Sequence, residues 1–192
     1  MSNLARGLLC AVALAVGPAT AMLAAPPADT CGAAARGVSF PIILNGQTTV
    51  GSADNYNLAA SGTCSGGGTQ VAGTGQGADQ VFKFQTFRNC VVSINLFPNA
   101  GVDLALYAVT NCASLASTCV KVSDASAAGG GEVVSFTATA GVDYYLIVDG
   151  SSSSSGVYGF NIVDAAANPD CLPVFFDGFE AANFTAWSLQ AP

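Results

Sequence analysis

EVVSFTATAGVDYYLIVDG, residues 132–150, alternates before its central glycine and is apolar throughout after it. Val134, Phe136 and Ala138 alternate with Val133, Ser135, Thr137 and Thr139. That period of two puts one face of a strand in a core and the other in solvent. Gly141 can take a positive φ at no steric cost, so the run turns there. Residues 144–148, YYLIV, are apolar on both faces and suit a central strand covered from both sides. The expectation is a hairpin in an all-β protein.

Outward from this run, other segments read the same way. VFKFQ (81–85) alternates with Phe82 and Phe84 on one face, and CVVSINLF (90–97) with Val92, Ile94 and Leu96 inward. DLALYAV (103–109), CVKV (119–122) and VYGFNIV (157–163) follow, the last with Tyr158, Phe160 and Ile162 together. Towards the N-terminus, residues 39–44 and 47–50 flank Asn45-Gly46, a strong hairpin signal, and Pro41 confines the first of them to a sheet edge. Ala100-Gly101-Val102-Asp103 is echoed by Ala140-Gly141-Val142-Asp143, each ahead of an apolar strand containing Tyr. Both predict a turn that delivers the chain into a central strand. Eight or nine short strands at this spacing argue a two-sheet antiparallel β-sandwich, jelly-roll-like and stapled by disulfides.

Residues 51–80 are rich in glycine, but no Lys follows and no helix pattern begins, so a phosphate-binding loop is excluded. They read as a long surface loop pinned by Cys64. At the start of the chain, Arg6, the apolar run GLLCAVALAV (7–16) and the A-x-A site Ala19-Thr20-Ala21 predict a signal peptide, residues 1–21. Residues 22–37 are then an N-terminal loop segment, 38–164 the sandwich, 165–173 a linker and 174–192 a tail. Loss of Arg6 with the signal lowers the basic residues from five to four against twelve acidic ones, a net charge of −8. That balance disfavours nucleic acid and anionic lipid as partners and admits bound cations. No membrane insertion is expected once the signal is removed.

The blocks Gly77-Ala78-Asp79-Gln80-Val81-Phe82-Lys83-Phe84, Asp103-Leu104-Ala105-Leu106-Tyr107, residues 134–141 with 144–150, and Gly156-Val157-Tyr158-Gly159-Phe160 stand in an order that resembles the bacterial pre-peptidase C-terminal domain. The resemblance implies a β-sandwich module of the kind attached to secreted peptidases and related to collagen-binding domains. It also implies an extracellular, non-catalytic role, in some members with calcium. The tail, from Val174-Phe175-Phe176-Asp177-Gly178-Phe179-Glu180 to Ala186-Trp187-Ser188, is similar to a short ending found on other secreted bacterial proteins. It reads either as a sorting or attachment signal or as a last element whose Phe175, Phe179 and Trp187 cover an apolar patch.

The chain has no histidine, which removes Ser-His-Asp and Cys-His catalysis and His-ligated zinc. A hydrolase would need a carboxylate pair, and Glu132 and Glu180 are the only glutamates. No enzyme is expected. Six cysteines remain in the exported chain: Cys31, Cys64, Cys90, Cys112, Cys119 and Cys171. An even set in an oxidising compartment reads as disulfides. Cys112 and Cys119, in NCASLASTC, are close enough to staple one loop; Cys64–Cys90 and Cys31–Cys171 are the expected remainder. Calcium takes oxygen ligands from loops, and Asp54, Asn55, Asp79 and Asp124 are the turn residues that offer them. The expected function is a secreted module binding an extracellular polymer or protein surface, with calcium as its one candidate ion. The alternatives are an envelope-associated surface protein retained through its tail and, more remotely, a secreted hydrolase.

Overall fold

The computed structural model describes residues 28–34, 36–37 and 42–165. The expected signal peptide, Cys171, all of the linker but Ala165, and the tail lie outside the described residues. Ten strands are present among the described residues: β1 (Arg36–Gly37), β2 (Ile42–Thr48), β3 (Gly68–Thr69), β4 (Asp79–Gln85), β5 (Cys90–Pro98), β6 (Leu104–Val109), β7 (Cys119–Ser123), β8 (Glu132–Ala138), β9 (Asp143–Gly150) and β10 (Val157–Asp164). They form a six-stranded sheet, β1-β4-β9-β6-β7-β3, and a four-stranded sheet, β2-β10-β5-β8. Pairing is antiparallel except at the two edges of the larger sheet, where β1 runs parallel to β4 and β3 parallel to β7. The chain is a two-sheet β-sandwich.

The opening stretch is two strands and a turn, as its periodicity predicts, but it is not a hairpin. β8 pairs with β5 in the small sheet, whereas β9 pairs with β4 and β6 in the large one. The turn therefore carries the chain across the sandwich. The reason lies in the side chains: Val134, Ala138, Tyr144, Leu146 and Val148 all belong to one buried cluster, with Phe136 packed against it. Phe136 and Tyr144 meet with ring centroids 5.2 Å apart. Strands joined edge to edge would bring these faces side by side; here they face each other across the core. The echoed Ala-Gly-Val-Asp marks the same step twice. Gly101 (φ 82°) leads from β5 to β6 and Gly141 (φ 75°) from β8 to β9, each time from the small sheet to the large. Both strands so delivered lie at the centre of the large sheet.

Asn45-Gly46 makes no hairpin either. β2 continues through it as an edge strand, and its register with β10 shifts between Tyr158↔Gln47 and Phe160↔Leu44. Gly46, at φ 68°, supplies the positive φ that the bulge requires. The turn signal was spent on a bulge, and the edge position that Pro41 predicts is the one observed.

The core between the sheets is built from the alternating residues of every long strand: Phe82 and Phe84, Val92, Ile94 and Leu96, Leu104 and Leu106, Tyr158, Phe160 and Ile162. Phe82 and Phe160 pack edge to face at 4.2 Å between centroids. A second apolar cluster lies on the other face of the large sheet, where Val81, Tyr107, Val109, Val122 and Ile147 meet Leu58, Cys64, Leu115 and Cys119 from the covering loops. This outer layer explains why β6 is buried at all six positions.

Two disulfides fasten the outer layer, and their connectivity differs from the sequence expectation. Cys31 is joined to Cys112 and Cys64 to Cys119. The Cys112–Cys119, Cys64–Cys90 and Cys31–Cys171 pairings are therefore corrected. Cys112 and Cys119 are near in sequence, but the loop between them forms a short helical segment, Leu115–Thr118, so each cysteine is offered to a different neighbour. Cys90 is disulfide-bonded as well. The segment expected as an N-terminal loop also joins the sheet: Ala28 bridges Val81, and β1 pairs with Lys83 and Phe84 of β4. The glycine-rich loop is likewise more than surface, since Thr74 within it is fully buried.

Candidate cation site

The first residue of β4 and the penultimate residue of β9 are both aspartates, and the register makes Asp79 and Asp149 direct partners. Partnered residues of an antiparallel ladder project to the same side, so two carboxyl groups are brought together at one end of the large sheet. Both are fully buried. Asp79 Oδ2 accepts the backbone N–H groups of Asn55 (2.6 Å) and Tyr56 (2.8 Å), which ties the 52–57 loop to the sheet. Asp149 Oδ2 lies 2.6 Å from the Tyr107 hydroxyl. The remaining oxygen of each, Asp79 Oδ1 and Asp149 Oδ1, is buried without a hydrogen-bond partner.

Counting hydrogens at Tyr107 shows what such a site demands. Its hydroxyl is 2.6 Å from Asp149 Oδ2 and 2.9 Å from the Tyr56 carbonyl oxygen, yet it has one hydrogen to give. The one hydrogen serves Asp149 Oδ2 or the Tyr56 carbonyl but not both at once, so an ionised Asp149 is short of donors. The electrostatics agree. Burial pushes the Asp149 carboxyl up to about 8, against hydrogen bonds from Tyr107 and from the Gly77 N–H and with the negative charges of Asp79 and Asp54 adding to the rise. Burial raises Asp79 to about 6, opposed by the N–H groups of Tyr56 and Asn55 and reinforced by Asp29 and Asp54. Tyr107 itself is held well above its ordinary value by burial and then by Asp149. Neither carboxyl is at ease as a bare anion here.

Asp29 completes the loop side. Its Oδ1 accepts the Ala53 N–H at 2.8 Å, and its carbonyl accepts the Asn55 side-chain amide at 2.8 Å. Of the four residues proposed from sequence as ligands, Asp79 is buried at this junction, Asn55 meets it through its backbone N–H, and Asp54 is exposed on the adjoining loop. Asp124 lies apart from them, with its Oδ2 taken by the hydroxyls of Thr74 (2.6 Å) and Ser151 (3.2 Å). Sequence reasoning missed Asp149, Tyr107 and Asp29. The signal for Asp149 was present: an acid closing an otherwise apolar strand, in YYLIVDG.

The donor set at the junction is all oxygen, the kind that hard cations prefer. Two carboxyl oxygens without partners are the observation that fits an ion. Among the described residues, no three acidic or cysteine side chains converge as a ready-made metal centre. An ion held by Asp79 and Asp149 would complete its shell with backbone carbonyls and water. Glu132 is otherwise engaged: it is buried, and its carboxylate accepts the Ser123 hydroxyl and the N–H groups of Ala125 and Ser126 (2.7 Å to the latter). Two surface hollows of about 320 and 380 Å³ beside the Cys31–Cys112 bond and the 113–117 turn are lined without an acid or a base.

No family model and no curated protein matches the chain. Among solved structures it is similar to the pre-peptidase C-terminal domain of a collagenase from Bacillus anthracis, at 19% identity and a TM-score of 0.35. The likeness covers 44% of this chain and 75% of that one. Among the described residues, no helix is long and apolar enough to cross a membrane.

Proposed function

We propose that this chain is an exported, non-catalytic β-sandwich module that binds an extracellular polymer or protein surface, assisted by one calcium ion at the loop–sheet junction. The observation that carries the reading is the facing pair Asp79 and Asp149, each with one buried oxygen left without a partner. An unpartnered buried carboxylate is costly, and an ion between the two would remove both penalties. It would also lock the 52–57 loop, which Asp79 already grips, onto the large sheet. Loops held by a rigid scaffold are the usual seat of recognition. Two disulfides support export, because such bonds persist in oxidising compartments. A chain without histidine that commits its buried acids to backbone and hydroxyl groups supports a role in binding.

Thermal melts with millimolar calcium and with chelator test the ion. Calcium at 100 times its Kd adds about 2.7 kcal/mol to stability, and Asp79→Asn should abolish the gain. Retention of the protein on a panel of extracellular polysaccharides and matrix proteins, with and without chelator, tests the binding. An unchanged melting temperature together with no retention on any of them overturns the reading.

A further inference from the structure

Among the described residues, nothing covers one outer face of the sandwich. The outer face of the large sheet lies beneath the disulfide-fastened layer. The outer face of the small sheet does not. One row crosses all four of its strands: Ile43 of β2 opposite Asn161 of β10, then Asn95 of β5, then Val133 of β8. Asn95 Nδ2 donates to Asn161 Oδ1 at 2.7 Å. Ile43 is 60%, Val133 54% and Phe97 52% exposed, and Phe97 stands opposite Gly159, which offers it no side-chain cover. None of the outward positions of these strands is charged, in a chain with twelve acids. An uncharged face on which Ile43, Phe97 and Val133 stand exposed among amides and hydroxyls suits a contact surface.

We propose that the occupant of this face is the chain's own C-terminal segment, residues 172–192. Three observations point to it. First, the chain leaves the fold beside this face: β10 ends at Asp164, and the Ala165 N–H donates to the Val91 carbonyl of β5 at 2.8 Å. Second, Cys90, next to Val91, is disulfide-bonded, while the other four described cysteines pair among themselves. Its bond therefore leads out of the described residues, and Cys171, six residues beyond Ala165, is within reach. Third, the segment has the matching composition. It carries Val174, Phe175, Phe176, Phe179, Phe184 and Trp187 with two acids and no base. An uncharged face does not repel it. At about 3.3 Å per residue the segment is long enough to traverse all four strands, and tethering gives it an effective concentration in the millimolar range. That favours it over a second copy of the chain.

The chain contains a single tryptophan, Trp187, so the proposal can be read directly from its fluorescence. In the full-length protein the emission should be blue-shifted, with iodide quenching several-fold weaker than in denaturant. Phe97→Asp, at an exposed position, should return both to the denatured values while leaving far-UV circular dichroism unchanged. Val133→Lys is the second variant and should act in the same direction. A native Trp187 as exposed as in denaturant overturns the proposal, as does an emission indifferent to both substitutions. Shielding that appears only as protein concentration rises overturns it in favour of a dimer.

Discussion

Asp79 and Asp149 face each other across the β4–β9 ladder, fully buried, with one oxygen of each lacking a hydrogen-bond partner. No other pairing in the ladder places two acids opposite one another, and burial raises both carboxyls by disfavouring their charged forms.

The pH dependence follows from the sign of that rise. A carboxyl raised in the folded state binds its proton more tightly there than in the unfolded chain. Its stabilising effect is therefore complete below the ordinary value of 3.8 and is lost as pH climbs towards about 8 for Asp149 and about 6 for Asp79. With chelator present, urea unfolding should show stability falling between pH 5 and pH 8, by up to about 1.4 kcal/mol per pH unit for each proton involved. Asp149→Asn removes one titration and should flatten the profile. A variant profile as steep as that of the parent would show that Asp149 is not the group responsible. Calcium should reverse the trend, since an ion must displace the same proton.

Gly68 is required by backbone contact rather than by flexibility. It sits at φ 124°, and a Cβ there would lie 1.9 Å from the Val122 carbonyl oxygen. Gly67, at φ 74°, has open space around it. Gly67→Ala should therefore cost about 1 kcal/mol, the left-handed penalty alone. Gly68→Ala should cost more, and should free the amide of Asp124, which donates to the Thr69 carbonyl. Denaturant melts compare the two costs, and hydrogen exchange at Asp124 reports whether β3 has detached.

Lys83 and Asp143 form an ion pair at 2.9 Å on the outer layer, with the ammonium also 5.2 Å from the Tyr145 ring centroid. Both partners are partly solvated, and pairs of that kind contribute about 0–1 kcal/mol. Lys83→Met should change stability by no more than that in a urea melt, and raising the salt should narrow the difference.

The strands and their inward faces were legible because a period of two is a local property. Phe82 and Phe84, Val92, Ile94 and Leu96, and Tyr158, Phe160 and Ile162 all point as their alternation says. The doubled Ala-Gly-Val-Asp was legible too, and marks two equivalent crossings. What the sequence could not reveal is which strands pair. A tight turn between two alternating runs is equally consistent with an edge-to-edge hairpin and with a step from one sheet to the other. The choice between them rests on contacts such as Phe136 with Tyr144. The candidate cation site was half legible for the same reason. Asp54 and Asn55 lie in a loop and Asp79 opens β4 directly after one, where acids attract notice, whereas Asp149 joins them only through its register with Asp79.

The disulfides give the last prediction. Cys31–Cys112 spans 81 residues and Cys64–Cys119 spans 55. Loops of that length correspond to about 4 kcal/mol each in the chain-entropy model, within a range of about 2–5 for native bonds. Both bonds hold the outer layer, and neither joins the two sheets. Replacing Cys64 and Cys119 together by serine should therefore lower stability by that amount and loosen the layer selectively. Hydrogen-exchange protection should fall around Leu58 and Leu115, which pack in the outer cluster, and persist at Ile94 and Leu146 between the sheets. Peptide mapping without reduction checks the premise: recovery of a Cys112–Cys119 peptide would overturn the connectivity and, with it, the selective loosening.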